Sequence, residues 1–110
     1  MIIKNLTPHP ITLKKVDGSF VVIQPETLPA RVSEITDTLG DIDGIAIVTK
    51  SFGIIVNLPE PQPDIMLVVS ALVATRAWEL GRQDVYAVGN PLRDAEGRII
   101  GAAALCANPN

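Results

Sequence analysis

The stretch DIMLVVSALVATRAWELG, residues 64–81, decides the fold class. It opens with an uninterrupted apolar run at residues 65–69, which lacks the alternation of a half-exposed strand and therefore predicts a strand buried on both faces. Ser70 then stands where a helix N-cap is expected, and Gly81 stands where a helix would end. The stretch thus predicts a buried strand that leads directly into a helix.

This predicted helix is apolar on two sides. Its two stripes at helical spacing are Val69, Leu72, Val73, Ala77 and Leu80 on one side, and Ala71, Ala74 and Trp78 on another. A sheet can cover only one of them, so the other needs a second surface. We expect a second copy of the chain to provide it, and hence a homodimer or higher homo-oligomer.

Short β-rich runs occupy most of the remaining chain. Those at residues 11–14 and 20–23 flank the turn dipeptide Asp17-Gly18 and predict a hairpin. The other runs lie at residues 2–6, 30–35, 45–49, 53–57, 84–88 and 99–105. We predict one α+β domain over residues 1–110, with a mostly antiparallel sheet of short strands and one helix in the C-terminal half, at about residues 70–81.

Composition narrows the classes of partner and the compartment. The net charge of −3 argues against binding to nucleic acid or to an anionic membrane surface. The longest apolar run, residues 65–74, is about half a membrane span. A single cysteine, Cys106, fits a reducing compartment, and the polar turn after Lys4 is unlike a signal peptide. We expect a soluble cytoplasmic protein with no nucleic-acid or membrane partner.

No catalytic or metal-binding motif stands out. The chain lacks GxxxxGK[ST], GxGxxG and GxSxG, and one histidine with one cysteine cannot form an ordinary zinc site without carboxylates. Asp41 and Asp43 resemble the start of a calcium loop but lack its later glutamate, so a hairpin turn is the simpler interpretation. We expect no catalytic residue, metal or cofactor. An enzyme acting on a nucleotide, with His9 and Asp94 as acid and base, is the weakest of three alternatives.

Several groups suit a polar or anionic ligand instead. Ser70 opens a helix whose first free N–H groups can meet a phosphate, and guanidinium groups can bind phosphate through two hydrogen bonds. Pro8 and Pro10 stiffen the segment NLTPHPITL, residues 5–13, so its polar side chains are fixed near either a pocket or an interface. The candidate ligand-binding residues are Asn5, Thr7, His9, Arg31, Ser70, Arg76 and Arg93.

Simpler roles remain open for these residues. Arg76 can pair with Glu79 one helical turn away, and Arg93 can pair with Asp94 or Glu96. Ser70 can be a plain N-cap. Only Phe20, Phe52, Trp78, Tyr86, the His9 ring and the arginines could stack on a nucleobase.

A set of short motifs spread over nearly the whole chain recurs together in a known family. The motifs are Asn5-Leu-Thr-Pro-His9, Arg31-Val, Asn57-Leu-Pro59, Met66-Leu-Val-Val-Ser70, Pro91-Leu-Arg-Asp94, Gly97 and Ile99-Ile-Gly101. In these motifs the chain resembles small phage and prophage proteins, among them the first Thoeris anti-defence family. The resemblance implies a sponge that binds a cyclic ADP-ribose-type immune messenger without cleaving it, and in some members cyclic oligonucleotides as well. It also implies a dimer or larger assembly, with pockets partly across the subunit boundary.

Residues and resemblance lead to the same expectation. We expect a non-enzymatic phage anti-defence protein that sequesters a cyclic nucleotide-derived signal in the cytoplasm of an infected bacterial host. The alternative is a small phage structural or protein-interaction protein with no small ligand. That protein would contact its partner through residues 58–63, which hold three alternating prolines, or through the Trp78 surface.

Overall fold

Eight strands and one helix make up the fold in the computed structural model, which describes residues 1–110. Their bounds are β1 Ile2–Asn5, β2 Ile11–Lys14, β3 Phe20–Ile23, β4 Arg31–Ile42, β5 Ile45–Val56, β6 Ile65–Val68, α1 Ala71–Glu79, β7 Val85–Arg93 and β8 Ile99–Cys106. The α+β class and the hairpin of β2 with β3 are confirmed. Because α1 has only nine residues, it is far shorter than the about 20 that a membrane-spanning helix needs.

Six strands form one curled sheet in the order β1-β6-β7-β8-β2-β3. The prediction of a mostly antiparallel sheet is wrong, because β1 with β6, β6 with β7 and β8 with β2 are parallel. Helix α1 is the crossover that returns β7 parallel to β6. The sheet curls until its two edges meet, where Asn5, the last residue of β1, bridges Pro25, which follows β3. The orientations are therefore mixed and the sheet is partly barrel-like.

Helix α1 packs on this sheet through small side chains drawn from both predicted stripes. Val73, Ala74 and Ala77 are buried, whereas Leu72 remains 44% exposed and Leu80 60% exposed. The division into one covered and one uncovered stripe is therefore wrong, because the alanines let the helix approach closely along the line between the stripes. Trp78 also turns inward, and its Nε1 donates to the Val85 carbonyl at 2.9 Å.

Both predicted helix boundaries are confirmed. Ser70 is the N-cap, and its Oγ lies 3.5 Å from the Val73 amide nitrogen that donates to it. At the other end Gly81 takes a φ of +88°, which favours glycine. The amide of Arg82 then donates to the Ala77 carbonyl at 3.0 Å, a Schellman closure that satisfies the last helical carbonyls.

The side chain of Asn5 ties the two sheet edges together. It is fully buried, and its Nδ2 donates to the carbonyls of His9 at 2.7 Å and Ile23 at 3.0 Å. Its Oδ1 accepts from the amide of Thr7 at 2.9 Å and lies 2.6 Å from the Thr7 hydroxyl. Every donor and acceptor of the amide is therefore used inside the fold.

Strands β4 and β5 form a separate two-stranded hairpin, here called the arm. Each strand has 12 residues, so the predicted runs at 45–49 and 53–57 are one strand, and the run at 30–35 continues to Ile42. Val32 and Ile55 at the base of the arm pack against the core, but nearly all of the outer part is exposed. The radius of gyration is 16.9 Å, against about 13 Å for a compact chain of this length, because the arm projects.

An ion pair fastens the end of α1 to the neighbouring loops. Arg82 forms two hydrogen bonds of 2.9 Å with the Asp84 carboxylate, and its Nη2 donates to the Pro59 carbonyl at 2.8 Å. The Arg82 carbonyl in turn accepts from Asn108 at 3.0 Å. The hydrogen bonds from Arg82 hold the pKa of Asp84 below its ordinary value. This ion pair with its hydrogen bonds, here called the Arg82–Asp84 clamp, joins the proline-rich segment at residues 58–63 and the C-terminal residues to the sheet.

Replacing Asn5 by alanine should strongly destabilise the protein. The change leaves buried carbonyls and the Thr7 amide without partners, at about 1–3 kcal/mol for each unsatisfied group. We therefore expect Asn5→Ala to lower the free energy of unfolding in urea by at least about 3 kcal/mol. Gln24→Ala removes an exposed amide beside Ile23 and serves as the control. An Asn5→Ala protein as stable as the control would show that the network does not hold the sheet closed.

Stability should depend on pH through Asp84. Because its folded-state pKa lies below the unfolded value of about 3.9, the clamp contributes fully above about pH 5 and is lost as the pH falls through the folded-state pKa. Asp84→Asn should cost about 1.5–3 kcal/mol at pH 7 and remove part of the acid-induced loss. Urea unfolding between pH 7 and pH 2.5 measures both effects, with the exposed Glu26→Gln as control. Parallel pH profiles for Asp84→Asn and the parent would contradict the clamp.

Candidate functional site

Three of the predicted ligand residues, Thr7, Arg31 and Ser70, lie where the parallel strands β1 and β6 end. The Leu6 amide donates to the Val68 carbonyl at 2.8 Å, which brings the segment starting at Thr7 beside Ser70. The Ala30 amide donates to the Leu6 carbonyl at 2.9 Å, which brings the start of β4 and Arg31 to the same edge. Carboxyl ends of parallel strands are a common place for ligands. The ends of these strands therefore bring together the Thr7 hydroxyl, the N-terminus of α1 at Ser70 and the exposed Arg31 guanidinium.

The NLTPH turn at this edge is mainly a structural device. Asn5 has no hydrogen-bonding capacity left, as described above. The single hydroxyl proton of Thr7 is shared between Asn5 Oδ1 at 2.6 Å and the His9 carbonyl at 2.9 Å. His9 itself is exposed, so its ring remains accessible beside the turn.

A cleft between α1 and the arm contains a further predicted residue, Arg76. This helix–hairpin cleft has a volume of about 370 Å³. Its walls are Ser51 and Phe52 from β5, and Leu72, Thr75, Arg76 and Glu79 from α1. It thus combines an aromatic ring, a guanidinium, a carboxylate and two hydroxyls. Of these residues the sequence indicates Arg76 as a ligand contact and Phe52 as one of several rings able to stack.

A β-bulge turns Phe52 toward the helix. Val32 pairs with Ile55, whereas Glu34 pairs with Phe52, so β5 carries one residue more than β4 over this interval. Val32 and Glu34 lie on one face of β4, and the extra residue keeps Ile55 and Phe52 on that same face. Since Val32 and Ile55 pack against the core, Phe52 faces the core side, where α1 lies. Strict alternation would have turned its ring away.

Arg76 has spare hydrogen-bonding capacity in this cleft. Its Nη1 forms the predicted pair with Glu79 at 3.2 Å, and the side chain is 33% exposed. Its Nε is buried and has no hydrogen-bond partner. A buried N–H without a partner is costly and is usually satisfied by a ligand or water. The exposed part of the guanidinium can bind an acceptor in the cleft, while the buried Nε–H is left without a partner inside the chain.

Arg93 lies away from both the ends of β1 and β6 and the helix–hairpin cleft. The pairing of β6 with β7 places Val88 opposite Ser70, and Arg93 lies five residues further along β7, roughly 16 Å away. It donates to the Gly97 carbonyl at 2.8 Å, not to Asp94 or Glu96 as the sequence suggests. Arg98 takes those carboxylates instead, at 2.9 and 3.0 Å.

The carboxylates show no arrangement that indicates acid–base or metal chemistry. Hydrogen bonds to the Asp94 carboxylate, first from the Arg98 amide, lower the pKa of Asp94, which moves it away from the range useful to a general base at neutral pH. Asp41 accepts from the Gly44 amide at 3.1 Å, which confirms the turn interpretation of that segment. No group of three or more His, Cys, Asp or Glu side chains is placed to hold a metal ion.

The seven predicted residues thus fall into four groups: Thr7, Arg31 and Ser70 at the sheet edge with His9 beside them, Asn5 inside the fold, Arg76 in the cleft, and Arg93 at the turn between β7 and β8. Comparisons with protein-family models, with curated proteins and with solved structures find no match to this chain.

Proposed function

We propose that this chain is a non-enzymatic binding protein that sequesters a cyclic nucleotide-derived immune signal in the cytoplasm of an infected bacterium. The messenger is a cyclic ADP-ribose isomer, with cyclic oligonucleotides as further ligands. Two lines support the proposal: the resemblance to the first Thoeris anti-defence family in the sequence motifs, and the chemistry of the helix–hairpin cleft.

One observation carries it: Arg76, with a buried Nε that has no partner, shares a cleft with the Phe52 ring. A nucleotide combines a flat base with an anionic phosphate, and these two side chains suit the two parts. The base can stack on the ring or on the guanidinium plane, and the phosphate can accept from the guanidinium. The cleft volume of about 370 Å³ lies within the range of small-molecule sites.

Binding an anion in the cleft requires Arg76 to release Glu79. That pair is solvent-accessible, with Glu79 58% exposed, and such pairs contribute only about 0–1 kcal/mol. A phosphate that forms two hydrogen bonds to the guanidinium would offset this loss. Ser51 and Thr75 add hydroxyls to the cleft, although the Thr75 hydroxyl also donates to the Ala71 carbonyl at 2.9 Å. Holding a nucleotide in the cleft needs no nucleophile or general base.

A phage interaction protein without a small ligand is the second candidate, favoured by the exposed apolar arm. Of the two surfaces that the sequence suggests for it, the Trp78 side chain turns inward, whereas residues 59–63 remain exposed and only one carbonyl of that segment is bonded within the chain. Trp78 donates to Val85, and the Pro59 carbonyl accepts from Arg82. The arm would be the contact surface under this second function.

The test is a thermal-shift screen against cyclic ADP-ribose isomers, cyclic dinucleotides and cyclic trinucleotides, with linear ADP-ribose as control. At a ligand concentration 100-fold above Kd, binding stabilises by about 2.7 kcal/mol, which raises the Tm of a domain of this size by about 10 °C. We expect such a shift with at least one cyclic ligand, and recovery of that ligand unchanged after heat denaturation. Recovery of a product would indicate an enzyme, and no shift with any ligand would favour the interaction protein.

Variants locate the ligand once a shift is found. Phe52→Ala and Arg76→Ala should each weaken binding by about 1–3 kcal/mol, from lost stacking and a lost charged hydrogen bond. The controls are Phe20→Ala, at a ring 58% exposed on β3, and Arg98→Ala, at a side chain 75% exposed. Glu79→Gln should tighten binding, because it removes the competing carboxylate. Loss of binding in Arg93→Ala but not in Arg76→Ala would contradict the cleft as the site.

A further inference from the structure

The outer part of the arm exposes an unusual number of large apolar side chains. Ile42 and Ile45 at its tip are 64% and 68% exposed, and Ile54 is 72% exposed. The other exposed apolar residues of the arm are Ile35, Leu39, Ile47, Val48, Phe52 and Val56. An isolated two-stranded hairpin is at best marginally stable in water, so a ribbon of 12 residues a strand needs a covering surface.

The size of the arm matches that of a stable interface. Twelve residues span about 40 Å and two strands are about 10 Å wide, so each face offers about 400 Å². In a dimer that exchanges arms, each chain contributes one arm face and the surface that receives the partner's arm, and these together approach the about 800 Å² that each partner contributes to a typical specific interface. An exchange of arms therefore has the area of a specific interface.

An apolar groove of suitable chemistry lies elsewhere on the same chain. It runs across β7, β8 and β2 and has a volume of about 470 Å³. Its larger apolar lining residues are Pro10, Ile11, Val88, Pro91, Ile99 and Ile100. Val88, Ile99 and Ile100 are 47–61% exposed, so the groove presents apolar surface that nothing in the chain covers.

Charge indicates that the arm contacts the groove and not the arm of a second copy. Glu34 is paired with Lys50 at 3.4 Å, but residues 35–49 hold Asp37, Asp41 and Asp43 and no lysine or arginine, so the outer parts of two arms laid together would oppose like charges. One cation, Arg93, lies next to the groove, whereas Arg98 is already paired with Asp94 and Glu96. Arg93, paired across the ladder with Ile99, donates to a carbonyl and not to a carboxylate.

We propose that the arm of one copy of this chain docks in the groove of a second copy, so that a two-fold dimer exchanges two arms. The apolar tip around Ile42 and Ile45 contacts the groove, and the acidic residues of the arm meet Arg93. A two-fold dimer forms this contact twice, once with each arm. The contact does not depend on what the helix–hairpin cleft binds.

Sedimentation equilibrium of the full chain at micromolar concentrations tests this contact. The parent should be a dimer. An arm variant, Ile42→Asp with Ile45→Asp, and a groove variant, Ile99→Asp with Ile100→Asp, should each raise the dissociation constant at least tenfold. Val16→Asp, at a fully exposed apolar residue of the β2–β3 turn, is the control and should dimerise like the parent. Circular dichroism checks that each variant is folded.

Mixing the two variants gives the decisive result. One arm and one groove remain intact between them, so the mixture should form a heterodimer with a lower dissociation constant than that of either variant alone. If either double variant fails to fold, Asp41→Arg should weaken the dimer and Arg93→Glu should restore it in the double mutant. A monomeric parent, a groove variant that dimerises as tightly as the parent, or a mixture that stays monomeric would each overturn the proposal.

Discussion

The buried amide of Asn5 is the interaction on which the arrangement of the molecule depends. Its Nδ2 holds the end of β3 through Ile23 and the following turn through His9, while the Asn5 backbone continues the ladder between β1 and β6. These contacts close the curled sheet where its two edges meet. The backbone of the next residue, Leu6, then bonds the Ala30 amide just before β4 and the Val68 carbonyl shortly before α1. Both walls of the helix–hairpin cleft therefore start from one anchored edge.

The cleft is preformed because each wall is held from behind. Helix α1 lies against the sheet through Ala74 and Ala77, whose small side chains allow close approach, and β5 is held at its base by Ile55. Arg76 and Phe52 are thus presented across a gap whose width does not depend on a ligand. A preformed site loses little entropy on binding, which would favour tight binding of the proposed ligand.

Local signals in the sequence predict local structure well. Ser70 and Gly81 bound α1, Asp17-Gly18 marks the β2–β3 hairpin, and the spacing of Arg76 and Glu79 gives an ion pair. Long-range pairing is different, because nothing near Ile2 indicates that it will pair in parallel with Ile65. The length of the arm is also hidden, since its exposed apolar residues resemble short buried strands.

The residues of the candidate site also differ in how well the sequence predicts them. A guanidinium on the polar side of a helix is visible in the sequence, so Arg76 can be selected before the fold is known. Asn5 is selected for its polarity and its proline neighbours, yet burial at the end of β1 uses its whole amide inside the fold. Phe52 faces the cleft only because of a bulge, and a one-residue shift in pairing leaves no clear mark in the sequence.

The most direct test of the central claim is a nitrogen-15 NMR titration of the protein with a cyclic ADP-ribose isomer. The Nε–H of Arg76 gives its own resonance, and this group is buried and has no hydrogen-bond partner in the chain. If the ligand binds in the cleft, we expect a large shift of that resonance, together with shifts of the backbone amides of Ser51, Phe52 and Thr75. Shifts confined to the turn between β7 and β8, or an unchanged spectrum at saturating ligand, would contradict it.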